Sequence, residues 1–161
     1  MTLTIDRACV ADVDDIAPLF DAYRRFYGRD RDLGLARAFI YERLERSEST
    51  IFLAKVGGRP VGYAQLFPSF TSGGAARIFI LNDLYVVLEA EGQGVGTALL
   101  KAAQAFAQVQ GAVGMRLFTN IDNRRAQGLY RRSGWARNDA FIMYELPLDP
   151  VSPAAPSAAG P

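Results

Sequence analysis

Glu91-Gly92-Gln93-Gly94-Val95-Gly96-Thr97 lies between a long, mostly apolar run, Ile78 to Val87, and a segment of helical apolar rhythm from Gly94 to Val109. A glycine turn that closes a buried strand and opens a helix leaves amide N–H groups unpaired at the positive end of the helix dipole, and glycines let that backbone approach a ligand closely. Such a turn suits phosphate. Its spacing alone also describes a tight strand-to-helix connection. A dinucleotide fingerprint would need Gly-x-Gly-x-x-Gly after the first strand and an acidic residue ending the next; this turn reads Gly-x-Gly-x-Gly and comes mid-chain. No Gly-Lys-Ser/Thr occurs, which excludes a phosphate-binding lysine loop.

Outward from the turn, short apolar segments alternate with polar or Gly/Pro joints. Ile51 to Val56 and Val61 to Phe67 flank Gly57-Gly58-Arg59-Pro60 and predict a hairpin. Ser69 to Ala75 reads as a polar loop into the Ile78–Val87 strand, which Asn82-Asp83 interrupts. At the start, Leu3, Ile5 and Ala8-Cys9 form an extended stretch. Asp12 then precedes Val13, Ile16, Leu19, Phe20, Tyr23 and Phe26-Tyr27, which predicts a capped helix ending at Gly28. A second helical rhythm runs from Leu33 to about Ser47. Downstream, Val113 to Thr119 is a strand, Arg124 to Ser133 a helix and Phe141 to Leu146 a last strand. That order predicts an α/β (α+β) chain, a mixed sheet covered by helices. Residues 3–147 read as one domain. Residues 148–161, rich in Pro and Ala, read as a disordered tail with too little apolar surface to offset its ordering entropy.

With 161 residues the chain can hold one core but not two ordinary domains. Its 18 basic and 17 acidic residues leave no net field for nucleic acid or an anionic membrane. Neither a leader at Met1 to Arg7 nor a bilayer-spanning run is visible, so a cytoplasmic protein is expected. Histidine is absent and Cys9 is the only cysteine. An intrachain disulfide, a cysteine-based metal site and any Ser-His or Cys-His nucleophile are thereby excluded, and no metal is expected. The chemistry falls to carboxylates, Tyr, Ser, backbone amides or water.

Two further segments narrow the function. Asn82-Asp83-Leu84-Tyr85-Val86 precedes the turn, and Asn123-Arg124-Arg125-Ala126-Gln127-Gly128-Leu129-Tyr130-Arg131-Arg132-Ser133-Gly134-Trp135 follows the next strand. Together they resemble the GNAT superfamily of acetyl-CoA-dependent N-acetyltransferases. The first, with the turn, is similar to that family's strand four and phosphate loop, Gln/Arg-x-x-Gly-x-Gly/Ala; the second is similar to its Asn-x-x-Ala-x-x-Leu-Tyr-x-x-x-Gly-Phe helix. The resemblance covers roughly residues 3 to 146. It implies the GNAT fold: a mixed, mostly antiparallel sheet of six to seven strands, about four helices, and parallel strands four and five that splay apart. It implies acetyl-CoA as cofactor and CoA as product. The Asn-Asp-Leu-Tyr-Val strand is most similar to the small histone-acetyltransferase-like members. One departure stands out, because Glu91 occupies a place usually held by Gln or Arg. A negative side chain there should weaken cofactor affinity unless a nearby Arg pairs with it.

The resemblance also implies roles. Leu84, Tyr85 and Val86 would pair their backbone with the pantetheine arm as an added strand does. Glu91, Gly92, Gln93, Gly94, Val95, Gly96 and Thr97 form the phosphate loop, with Asn123 and Ala126 further along the cofactor. Tyr130 would protonate the departing thiolate; its competing role is a core tyrosine, since Ala126, Leu129 and Tyr130 share helical spacing. Members of the family carry Glu at the position of Asn82, and an amide can orient water but cannot take a proton. Asp83 is set aside as a base, because strand alternation puts it on the face opposite Asn82. The expectation is a water relay held by Asn82, with Tyr130 as acid. Arg24, Tyr27, Phe70 and Asn82 are the expected acceptor-binding residues, while Phe20 and Phe67 read as core. Arg24, Arg25, Arg29 and Arg31 favour an amine that also carries a carboxylate, such as an amino acid, or a peptide end. A small-molecule amine is the leading acceptor, with a protein lysine or N-terminus, or a non-catalytic acyl-CoA-binding module, as alternatives. Dimers are common in the superfamily, and the apolar last strand is the expected homodimer interface.

Overall fold

In the computed structural model, which describes residues 2–149, β1 (Leu3–Arg7), β2 (Thr50–Val56), β3 (Arg59–Thr71) and β4 (Ala76–Val86) pair antiparallel in chain order, and β5 (Gly114–Leu117) runs parallel to β4. A parallel neighbour needs a crossover, and the helix α3 (Val95–Val109) supplies it. Alternation along the strands sends two apolar sets to opposite faces. Phe52, Ala54, Ala64, Leu66, Phe79 and Leu81 pack against Val95, Leu99, Leu100, Ala103 and Ala107 of α3. Ile51, Leu53 and Tyr63 pack against Val13, Ile16, Leu19 and Phe20 of α1 (Val13–Phe26) and Ala36 and Ile40 of α2 (Leu33–Glu45). A fourth helix, α4 (Arg124–Arg132), follows β5. The result is the expected α+β chain, with helices on both faces of a mixed sheet.

Three expectations change. Among the described residues the sheet has five strands rather than six or seven. Phe141 to Leu146 has no sheet partner among the described residues, and its apolar side chains are 64–87% exposed. Apolar, β-prone composition makes a segment suitable for a strand, but only hydrogen-bonded pairing with a neighbouring strand makes it one. Secondly, the predicted loop from Ser69 shrinks to residues 72–75, because Ser69, Phe70 and Thr71 stay paired with Ile78, Arg77 and Ala76. Thirdly, Asp12 makes no side-chain cap on α1; its carboxylate accepts the Cys9 N–H at 3.0 Å in the preceding 3-10 turn. Residues 150–161 of the predicted tail lie outside the described residues.

One irregularity positions the site. Gln65 pairs with Asp83 and Leu66 with Leu81, so Asn82 is an extra residue in β4, a β-bulge. The bulge reverses the alternation: Phe79 and Leu81 face α3, and beyond it Leu84 and Val86 do so.

Candidate active site

Pairing of β4 with β5 stops at Leu81 and Leu117, so from Asn82 onward the side of β4 that faced β5 has no strand partner among the described residues. A cleft of about 450 Å³ opens there, bordered by the end of β4, the glycine turn, the start of α3, α4 and the last turn of α1. Gly92 (φ +74) and Gly94 (φ +82) are in the left-handed region, which costs a residue with a Cβ about 1–2 kcal/mol. Gly94 is the N-cap of α3 and no side chain caps that helix, leaving its first amides for a ligand. Apart from the glycine itself and its chain neighbours, no atom lies within 4 Å of where a Cβ would stand at Gly92 or Gly94, so the cradle is open. Free helical amides, the dipole's positive end and a bare strand edge fit a long anionic cofactor with an extended arm.

Most of the expected site residues line this one space: Asn82, Leu84, Tyr85, Val86, Glu91, Gly92, Gly94, Val95, Gly96 and Thr97 from the strand and turn, and Asn123, Ala126 and Tyr130 from the α4 region, with Tyr27 from the end of α1. Three do not. Gln93 turns its side chain back to donate to the Glu89 carbonyl at 2.7 Å. Arg24 reaches Asp21 at 3.8 Å, beside the Arg25–Asp21 pair at 3.2 Å, because Asp21 is buried and needs cations. Phe70 is carried past the site by the extended hairpin, where it is 66% exposed and stacks with Arg77. Asn123 also acts locally: its side chain accepts the Ala126 N–H at 3.1 Å and caps α4.

The sequence did not point to Arg125, which lines the cleft and pairs with Glu91. Nothing local marks that pair, since 34 positions separate its members. Tyr23 also borders the cleft and donates through its hydroxyl to the Asn82 carbonyl at 3.2 Å. Tyr130 is half-buried beside Trp135. Burial, with a smaller contribution from Tyr27, pushes its phenol up to about 12. Burial also raises the Tyr23 phenol, and the Asp83 charge adds to that.

Asp83 corrects an expectation. The bulge makes strand alternation fail at this point, and the Asn82 amide donates to the Asp83 carboxylate at 3.0 Å. Tyr63 and Gln65 donate to the same carboxylate, at 3.2 and 2.6 Å.

Comparison with known proteins agrees with this geometry. The model of the acetyltransferase (GNAT) family matches residues 16–135. An uncharacterized N-acetyltransferase of Bacillus subtilis, YhfO, is 42% identical over 144 residues, covering 89% of this chain and 97% of its own length. A probable acetyltransferase of Haemophilus influenzae is 30% identical over 137 residues, or 84% of this chain and 92% of its own. The crystal structure of a probable acetyltransferase, 40% identical, matches with a TM-score of 0.85 over 92% of this chain and 99% of that one. The open β4 edge, the uncapped glycine turn and these matches lead to one conclusion: the chain belongs to the acetyltransferase (GNAT) family and is an acetyl-CoA-dependent enzyme that acetylates an amine.

Proposed function

We propose that the enzyme acetylates the primary amine of a small molecule by direct attack. The observation that supports this is continuity: Tyr23, Tyr27, Asn82 and Tyr130 border the same cleft as Gly92, Gly94 and Gly96, so a cofactor held at the turn reaches a tyrosine-walled acceptor end. Acetyl-CoA supplies an acetyl thioester, from which a neutral amine takes the acetyl group as an amide while the thiol departs. The amides of Val95 to Thr97 hold the pyrophosphate, and the free edge from Leu84 to Val86 pairs with the arm and polarises the acyl carbonyl. An ammonium must lose a proton before it attacks, and Asn82 orients the water that takes it. Tyr130, kept protonated by burial, gives its proton to the departing sulfur.

Acceptor binding rests on Tyr27 and Asn82, joined by Tyr23 and Phe26. Arg24 and Phe70 stand outside the cleft lining. An amino-acid-like acceptor loses support from two of the four arginines expected to favour its carboxylate, since Arg24 and Arg25 are turned onto Asp21. A protein lysine or N-terminus is the second reading, favoured by the exposed rim where Phe26 and Tyr27 pack edge to face at 5.2 Å. The histone-acetyltransferase-like resemblance describes the strand motif and does not select between these acceptors. Free-thiol release with glycine, L-lysine, putrescine and an acetyl-blocked lysine peptide decides. Turnover of a free amine at least as fast as the peptide is expected; turnover of the peptide alone would overturn the small-molecule reading.

A homodimer is also proposed. Phe141 to Leu146 is apolar, extended and exposed, and β5 has no strand beyond it among the described residues. The segment of one copy added to β5 of another would satisfy both. Use of acetyl-CoA supports a cytoplasmic location, and among the described residues no helix is long and apolar enough to cross a membrane.

A further inference from the structure

Two carboxylates are buried among the described residues, Asp21 and Asp83. They are held differently. Asp21 has Arg24, Arg25 and the Asp32 N–H, which ties the end of α1 to the start of α2. Asp83, 2% exposed, has no ion-pair partner among the described residues and is met only by neutral donors. A buried carboxylate without a cation is costly to fold around. Its place directly behind the cleft-facing Asn82 gives that cost a use.

The network has a direction. Ser49 donates to the side-chain Oε1 of Gln65 at 2.8 Å, which leaves the Gln65 side-chain nitrogen facing Asp83. Tyr63 and the Asn82 nitrogen complete the set, so every partner offers the carboxylate a proton donor, as its ionised form requires. Burial pushes the Asp83 carboxyl above its usual range, while the hydrogen bonds from Gln65, Asn82 and Tyr63 pull the other way. With Nδ2 of Asn82 committed inward to Asp83, its Oδ1 is left for the cleft.

We propose that Asp83 is a positioning residue, which locks the Asn82 amide so that Oδ1 accepts an N–H from the incoming amine. Its charge beneath that atom favours cationic amines over neutral nucleophiles. The inference rests on the reading that Asn82 lies at the acceptor end. Without Asp83 the amide can turn and present NH2 to an ammonium, a donor facing donors.

The test is a kinetic cycle on the full-length enzyme, with whichever of glycine, L-lysine, putrescine or the blocked lysine peptide releases thiol fastest. Asp83→Asn should raise the amine KM about tenfold, the size expected for one hydrogen bond to a charged group. Calorimetric affinity for CoA should stay within about twofold, because the cofactor contacts are untouched. The double variant Asn82→Ala/Asp83→Asn should be no worse than Asn82→Ala, since Asp83 acts through Asn82. The exchange Asn82→Asp/Asp83→Asn should restore the amine KM, because a carboxylate at position 82 accepts with either oxygen. Additive losses in the cycle, or an exchange variant as poor as Asn82→Ala, would overturn the inference; the exchange decides alone if Asp83→Asn does not fold. A parent enzyme that turned over none of these amines would overturn the proposed function and this inference together, whereas additivity in an active parent overturns the inference only.

Discussion

The Glu91 carboxylate is paired with the Arg125 guanidinium, joining the glycine turn to the first turn of α4 at the cleft. The negative charge at the glycine turn therefore has a partner, and that partner also lines the cleft. Exposed ion pairs contribute little to stability, so the pair matters mainly for binding. Glu91→Gln should release Arg125 toward the cofactor and tighten CoA binding by about three- to fivefold, the range of a surface charge contact. Arg125→Ala should leave Glu91 unopposed and weaken binding by a similar or larger factor. Calorimetry at low and high salt checks both, with smaller differences at high salt. Two variants indistinguishable from the parent would mean that neither charge meets the cofactor.

Tyr130→Phe keeps the ring that packs on Trp135 and removes the hydroxyl proposed as the proton donor. Loss of a general acid should lower kcat by about 100-fold or more, with CoA affinity nearly unchanged. Because burial holds this phenol protonated up to about 12, kcat of the parent should show no alkaline loss attributable to it below about pH 10. Single-turnover thiol release across pH is the measurement, and an unaltered kcat in the variant would remove Tyr130 from the chemistry.

Gly94→Ala forces a Cβ onto φ +82 at the N-cap of α3. The strain of about 1–2 kcal/mol should appear as lower stability, or as a turn that relaxes and binds CoA several-fold more weakly. Paired urea unfolding and CoA titration separate the two, and a variant equal to the parent in both would show that the turn tolerates the change.

Leu99 is completely buried where α3 crosses the sheet. Leu99→Ala should cost about 2–5 kcal/mol in urea unfolding, from lost burial and the cavity left behind. A cost under about 1 kcal/mol would mean that α3 contributes less to the core than its packing indicates.

Phe141 to Leu146 gives the assembly test. Replacing Ile142 and Tyr144 with Lys should lower the sedimentation mass to that of a single chain if this apolar segment joins two copies. A parent that already sediments as a monomer would refute the homodimer.

Much of the fold was legible because its signals are local. The apolar rhythm of Val13, Ile16, Leu19 and Phe20, the Gly57-Gly58 joint and the glycine turn each act within a few residues, and each produced the expected element. The errors lie where a distant neighbour decides. Ser69 to Thr71 look like loop residues until pairing with Ala76 to Ile78 makes them strand. Phe141 to Leu146 looks like a strand but pairs with none among the described residues. Arg24 looks like an acceptor contact until the buried Asp21 claims it.

By itself, the sequence determined the order of elements from β1 to α4 and the glycine turn between β4 and α3, because glycine spacing and apolar period are properties of neighbouring residues, while the cofactor followed from the family resemblance that two motifs in order carry. Only the tertiary structure decided how the two ends of the cleft are charged. The Glu91–Arg125 pair needs the fold to bring two distant segments together, and Asp83 sits behind Asn82 only because β3 and β4 slip by one residue at the bulge. Strand register and long-range packing set those contacts, and neither is written in the residues on either side of them.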